Sequence, residues 1–363
     1  MSRLGSFPLH NAAEMLRRHA PDAKVVLDPF CGKGTTLLAA RMLGIEAYGI
    51  DTGPEAIICS RAKLSTLTID EAEDYLAKMR IIPRQRTTIP EDVKVFFHPT
   101  TLAQTLAVNR RLQDSQETGA AKEREIATTL QAGLLGILHG HASYSLSISS
   151  AHAYAMAPRY VRNYAAKNKL TPPERDVKAC LLAKIRRCLA QPLPLRVKSR
   201  VLRGRAQEAA RLFPNLVNRV DCILTSPPYL ASHTYAKDNW LRHWLLGFDY
   251  RDLAEDYLQT GSLERYSTQM RSVLDNVATL LRPGGRFICV VGHGRVGSNE
   301  RNSVNLRRLI TELLEERAPT LRLESITTER VSNHRRYLHA LKDTDGHHQN
   351  VRKEYILIAT KNF

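Results

Sequence analysis

Lys24-Val25-Val26-Leu27-Asp28-Pro29-Phe30-Cys31-Gly32-Lys33-Gly34-Thr35-Thr36 is a short apolar run of strand type that breaks into a turn holding two glycines. Residues 35–43 then follow a helical pattern and stop at Gly44, a residue suited to closing a helix. Glu46-Ala47-Tyr48-Gly49-Ile50-Asp51 reads as a second strand with an acid at its end. Strand, glycine turn, helix, strand and acid within about 30 residues predict a dinucleotide-type half-fold, and with it an α/β architecture.

The turn has the chemistry of a ligand loop. Two glycines allow a tight bend and let a ligand approach the main chain closely. No Gly-Lys-Ser/Thr follows four residues after a first glycine, so the loop is not a Walker A phosphate cradle. Asp51 ends its strand where a carboxylate can accept both hydroxyls of a ribose. A lone Gly-x-Gly would read as a generic turn with a surface Asp. The full run with an acid about twenty residues later points to a cofactor, with Asp28, Pro29, Phe30, Gly32, Gly34, Thr35 and Asp51 as candidate binding residues.

A second string lies far along the chain. Asp221-Cys222-Ile223-Leu224-Thr225 reads as a strand that delivers Ser226-Pro227-Pro228-Tyr229. An exocyclic amine on a nucleobase is a poor nucleophile because its lone pair is delocalised into the ring. Acceptors for its N–H hydrogens help by localising that pair on nitrogen. The Ser226 hydroxyl and the Pro227 carbonyl suit this role, with Pro228 keeping the backbone extended. Tyr229 can stack on a base, a contact worth ~1–3 kcal/mol. A rigid turn with a half-buried tyrosine is the bland alternative, and the cofactor loop weighs against it.

Taken together, these strings resemble the motifs of class I S-adenosylmethionine-dependent DNA amino-methyltransferases of the N4-cytosine/N6-adenine type. The resemblance implies a Rossmann-like sheet, mostly parallel with an antiparallel edge strand, carrying a large helical insertion. It implies S-adenosyl-L-methionine as cofactor, with Asp28, Gly32 and Gly34 around its methionine part and Asp51 on its ribose. Phe7-Pro8-Leu9-His10 and the helix predicted over 11–20 resemble the family's preceding motif. A strand at 200–203 with Gly204 resembles the element that edges the adenine, although Arg205 stands where the family often has an acid. Ser-Pro-Pro-Tyr is similar to the variant common in N4-cytosine enzymes, so a flipped cytosine in double-stranded DNA is the expected target. Adenine N6, an RNA base, and a DNA-binding protein that merely retains the cofactor are the alternatives. Residues 233–249 resemble a helix that follows this motif in a bacterial subgroup, and Leu281-Arg282-Pro283-Gly284-Gly285 resembles the turn before strand five of class I methyltransferases. A separate restriction endonuclease and a solitary role both remain open.

Outside these motifs the chain divides by rhythm. Residues 1–65 and 197–363 carry the α/β alternation, including helices at 206–212, 238–246, 263–281 and 306–316 and strands at 286–291, 321–325 and 354–360. Residues 66–196 read as a helical insertion, with helices at 102–112 and 123–138. The net charge is +17, and residues 158–211 hold fifteen Lys or Arg against three acids, or +12 in that stretch. A solvated basic face is the ordinary fate of such a run. Tyr160 and Tyr164 interleaved with Arg159 and Arg162 suit a phosphate backbone instead, so these residues with Lys167, Lys169, Arg186 and Arg187 are the predicted nucleic-acid contacts.

Six scattered cysteines without a C-x-x-C pair argue against a zinc ribbon or a disulfide framework. Cys31 and Cys222 sit beside the motifs and read as small buried hydrophobes. His139-Gly140-His141 and His347-His348 lack the partners of a metal set and read as surface loops, so no metal is expected. Asn333-His334-Arg335-Arg336 suits phosphate contact and plain solvation equally. With no long apolar segment, the expectation is a cytoplasmic, nucleoid-associated protein.

Overall fold

A computed structural model describes residues 8–82, 89–140, 143–149, 157–191, 197–230, 235–254, 260, 262–295, 303–316, 319–330 and 353–362. In chain order the elements are α1 (Leu9–His19), β1 (Val25–Asp28), α2 (Thr35–Met42), β2 (Glu46–Asp51), α3 (Pro54–Leu64), α4 (Ile69–Lys78), α5 (Glu91–Lys94), α6 (Pro99–Thr118), α7 (Ala121–Ile137), α8 (Pro158–Asn168) and α9 (Val177–Leu189). There follow β3 (Ser199–Arg203), α10 (Ala209–Leu212), β4 (Val220–Thr225), α11 (Tyr235–Asp238), α12 (Trp240–Leu246), α13 (Tyr250–Ala254), α14 (Leu263–Leu280) and β5 (Leu281–Val291). The last are β6 (His293–Arg295), β7 (Ser303–Asn305), α15 (Leu306–Glu315), β8 (Leu321–Arg330) and β9 (Lys353–Lys361). Among the described residues no helix is long and apolar enough to cross a membrane.

The chain forms two compact units, one of Leu4–Ser60, Pro194–Tyr235 and Leu253–Phe363, the other built mainly from Arg61–Leu193 with Ala236–Asp252. The first holds a seven-stranded sheet in the order β3-β2-β1-β4-β5-β9-β8. Its strands are parallel except β9, which runs antiparallel to both β5 and β8 at that edge. This is a Rossmann-like sheet, mostly parallel with one reversed strand near an edge, as the resemblance implies. Strands β2, β1 and β4 are almost wholly buried short runs, as the middle of a parallel sheet requires, whereas the edge strand β3 keeps Arg200 and Arg203 exposed.

Helix α14 shows how the core is specified. The Ser262 side chain caps its start by accepting from the Arg265 N–H. Its Tyr266, Met270, Val273, Leu274, Val277 and Leu280 recur at helical spacing and are fully or almost fully buried. They share one cluster with Leu27, Ile223 and Phe287 of the sheet and Ile310, Leu313 and Leu314 of α15. Each such side chain contributes about 1.5–3 kcal/mol by leaving water.

Several boundaries differ from the sequence reading: β8 runs on to Arg330, α6 spans Pro99–Thr118, the helix expected over 238–246 is split into α11 and α12, and β5 starts early. The strand expected over 286–291 begins at Leu281, and the Arg282-Pro283-Gly284-Gly285 turn lies inside it. Pairing passes from Val220–Leu281 to Cys222–Arg286, two residues of β4 against five of β5, so three residues loop out. Gly284 at φ 72° makes that loop possible.

The second unit is helical. Helices α6 and α7 are joined through Gly119 and Ala120, and α9 packs on α7 where Gly133 leaves no room for a side chain: an added Cβ would stand 2.8 Å from the Ile185 Cδ1. Its interior includes a polar chain in which Gln116 donates to Gln131, Gln131 to Asn109, and Asn109 to the Leu245 carbonyl. Satisfied in this way, buried amides fix helix register instead of costing stability.

Candidate active site

Strands β1 and β4 are neighbours, paired at Val26–Cys222 and Leu27–Ile223. The chain leaves β1 towards β2 and β3, then returns through β4 towards β5 on the other side. This is the point where strand order reverses, the position at which open α/β sheets bind ligands beyond their carboxyl ends. The two strings therefore emerge side by side, although about 190 residues separate them in sequence.

Asp28 fastens them together. Its Oδ1 accepts the Thr225 hydroxyl at 2.6 Å and the Phe30 N–H at 3.0 Å. Burial raises the Asp28 carboxyl to about 6, against the pull of those donors and with a further push from the Asp51 carboxylate. At the far end of the same strands, Asp221 accepts the Lys24 and Val25 N–H groups, each at 2.9 Å.

Asp51 shapes the glycine turn directly. Its Oδ2 accepts the Gly32 N–H and its Oδ1 the Gly53 N–H, both at 2.8 Å. Gly32 and Gly34 have φ of 51° and 73°, so both glycines are conformational requirements. Pro29 is buried, Phe30 half-buried against the core, and Thr35 opens α2 directly after the turn. The sequence reading missed Ser60. This buried residue of α3 donates its hydroxyl to the Gly32 carbonyl at 2.8 Å. It also sits against Gly34, where a Cβ would stand 2.8 Å from Ser60 Oγ. The available signal was a serine in line with Ala56 and Ile57 on the buried face of α3. Gly34→Ala should therefore suffer twice, from positive φ and from Ser60. We expect a loss of about 1–3 kcal/mol in denaturant unfolding, together with weaker cofactor binding by calorimetry.

At the end of β4, Ser226 and Tyr229 are half-buried and Pro227 is buried. Burial holds the Tyr229 phenol well above its ordinary value, with the Glu354 carboxylate adding to the effect and Ser226 opposing it. A hydroxyl carries two lone pairs beside its one donor, so Ser226 can serve as an acceptor. The Tyr266 hydroxyl donates to the Pro228 carbonyl at 3.0 Å. Cys31, Cys222 and Cys289 are buried, and burial pushes the Cys222 thiol far up, so they behave as small hydrophobes and not as nucleophiles.

The basic candidates divide by what they already touch. Arg159, Lys167 and Lys169 are exposed on or just beyond α8, and the Tyr160 and Tyr164 rings stack at 6.0 Å and 18°. Arg162 is ion-paired with Asp92, and Arg186 with Glu73 at 2.8 Å. Arg187 donates to the Tyr144 hydroxyl at 2.7 Å and lies 5.8 Å from that ring's centroid.

His139 corrects the sequence reading. Instead of lying on a surface loop it is buried, with Nδ1 2.8 Å from Ser147 Oγ and its ring edge-on to Phe96. Helix α7 ends just before it and carries it into the helical core, where Ser147 satisfies the imidazole. Phe7, His141, His233, residues 150–156, Asn333-His334-Arg335-Arg336 and His347-His348 lie outside the described residues.

Comparison with known proteins agrees with the loop. A family model described as DNA methylase, of the N6/N4 methyltransferase type, matches residues 5–60. The type II methyltransferase M.MjaII of Methanocaldococcus jannaschii is 34% identical over 64 residues, a stretch covering 18% of this chain and 12% of that protein. Among solved structures, the rRNA methyltransferase aviRa of Streptomyces viridochromogenes is 11% identical, covering 98% of this chain and 87% of that one, with a TM-score of 0.34. TrmN of Thermus thermophilus is 14% identical, covering 96% and 48%, with a TM-score of 0.33. At such scores the two structures add no weight. The segment holding the Asp28 loop, Asp51 and Ser60 is thus the part of the chain that is similar to N6/N4 DNA methylases.

Proposed function

We propose that this protein transfers a methyl group from S-adenosylmethionine to the exocyclic amine of a base flipped out of DNA, with cytosine N4 the favoured acceptor. The observation that carries the reading is the adjacency of the glycine turn and Ser226-Pro227-Pro228-Tyr229 across β1 and β4, joined by the Thr225–Asp28 hydrogen bond.

The residues present suit the cofactor. Gly32 and Gly34 keep the main chain bare at the end of β1, and the Asp51 carboxylate stands at the end of β2 for a ribose. When bound, S-adenosylmethionine supplies an electrophilic sulfonium methyl. The protein's part is orientation: the Ser226 hydroxyl and the Pro227 carbonyl accept the amine hydrogens, and Tyr229 holds the base. No covalent enzyme nucleophile is needed for an amine acceptor, consistent with the buried cysteines. The serine of the motif favours cytosine over adenine, and the helical unit, with α8 foremost, is assigned the grip on the phosphate backbone.

The test is transfer from labelled cofactor to DNA and to RNA, followed by mass spectrometry of the nucleosides. N4-methylcytosine from DNA is expected. N6-methyladenine would reassign the base, label in RNA alone would reassign the polymer, and no label anywhere would favour a non-catalytic DNA-binding protein. Replacing Arg159, Lys167 and Lys169 together by Ala should weaken DNA binding without affecting cofactor binding. The slope of log affinity against log salt should become shallower by roughly 0.9 for each phosphate no longer neutralised, so by up to about 3 for the triple variant. An unchanged slope would remove α8 from the interface.

A further inference from the structure

Pro227 and Pro228 deprive the acceptor loop of two N–H groups, so backbone donors cannot anchor it there. Its main-chain handles at these positions are carbonyls, and one of them is held from behind. Tyr266, fully buried on α14, donates its hydroxyl to the Pro228 carbonyl at 3.0 Å. Phenylalanine would fill the same space, and burying a hydroxyl is costly without a partner, so the hydroxyl is there for the loop. Burial keeps the Tyr266 phenol far above the usual phenol range, so it remains a protonated donor at any working pH.

A second contact fixes the ring at the end of the loop. Gly292, directly after β5, lies so close to Tyr229 that a Cβ there would stand 2.7 Å from Cε2 and 3.3 Å from Cζ. Its φ is outside the left-handed region, so backbone conformation does not demand a glycine. The close approach of the aromatic ring does.

We infer that Tyr266 and Gly292 are positioning residues for methyl transfer. Tyr266 engages the Pro228 carbonyl, leaving the Pro227 carbonyl and the Ser226 hydroxyl as acceptors for the amine, and Gly292 sets the place of the Tyr229 ring that holds the base. The inference rests on the amino-methyltransferase reading above. It adds two residues that lie 37 and 63 positions beyond Tyr229 in the chain.

Tyr266→Phe and Gly292→Ala test it in the full-length protein, with thermal melting, cofactor calorimetry, steady-state transfer to DNA, and fluorescence of a 2-aminopurine at the target position. Tyr266→Phe should melt close to wild type and bind cofactor equally well. Its kcat should fall roughly tenfold with the KM for DNA unchanged, the signature of an interaction expressed only in the transition state. Gly292→Ala should chiefly raise the KM for DNA and alter the 2-aminopurine signal, because it displaces the stacking ring. Wild-type constants, within twofold, in both variants would overturn the positioning roles while leaving the transfer reaction intact. Should Tyr266→Phe fail to fold, Gly292→Ala decides alone. A wild-type protein that methylates no nucleic acid would overturn the function itself, an outcome distinct from active variants on an active background.

Discussion

Ser226→Ala is expected to lower methyl transfer by about a hundredfold or more while leaving cofactor affinity unchanged, since removing one transition-state acceptor or donor costs about 10²–10³ in rate. The residue lies at the end of β4, outside the glycine turn, so its loss does not touch the hydrogen bonds that Asp51 and Ser60 make there. The Tyr229 ring needs two variants to separate its roles. Its half-buried ring packs against the sheet core, so Tyr229→Ala removes both a stacking face and part of that packing. It should lose transfer to a similar degree and also melt earlier. Tyr229→Phe keeps the ring and loses only the hydroxyl whose titration Ser226 influences, so it should retain DNA affinity while losing part of kcat. Steady-state kinetics beside cofactor calorimetry check all three. Undiminished transfer by both Ser226→Ala and Tyr229→Ala would sink the pocket assignment.

Much of this site was legible in the sequence because contiguous strings encode it. The glycine turn, Asp51 and Ser226-Pro227-Pro228-Tyr229 each follow a strand, and a parallel sheet must bring strand ends to one edge. What the string could not announce is support from single residues on distant elements. Thr225 reads as the last residue of an apolar strand until β1 places Asp28 beside it. Helical spacing marks Ser60 and Tyr266 as facing inward but not what they touch, and Gly292 carries no local pattern, because their roles depend on which helix or strand the fold sets against the loops. The basic run was visible as charge, but pairing is a tertiary property. Asp92, Glu73 and Tyr144 engage Arg162, Arg186 and Arg187, so Arg159, Lys167 and Lys169 form the more open part of the predicted surface. His139 was misread for the same reason, since nothing in its neighbourhood of sequence reveals Phe96.

Asp28→Asn is expected to separate stability from cofactor binding. The buried carboxyl titrates near 6 in the folded chain against an ordinary value of 3.8, so folding favours its protonated form. Below the ordinary value it is protonated in both folded and unfolded chains, and its contribution to stability is fully present. As pH rises through the window from 3.8 to about 6, the unfolded chain releases the proton first and stability falls. At neutral pH the buried charge then costs on the order of 3 kcal/mol, at ~1.4 kcal/mol for each pH unit. Asparagine carries no charge yet keeps an oxygen to accept the Thr225 hydroxyl and the Phe30 N–H. The variant should therefore gain about 1–3 kcal/mol at pH 7.5 and lose the downward slope of stability between pH 4 and 6. Cofactor binding should move the other way, by roughly tenfold, because a sulfonium ligand with an ammonium group is attracted by a carboxylate and not by an amide. Unfolding curves from pH 4 to 8 and calorimetry at pH 7.5 read the two effects separately. A variant less stable than wild type at pH 7.5 would show that the charge is compensated in the fold. One with undiminished cofactor affinity would confine Asp28 to tying β1 to β4.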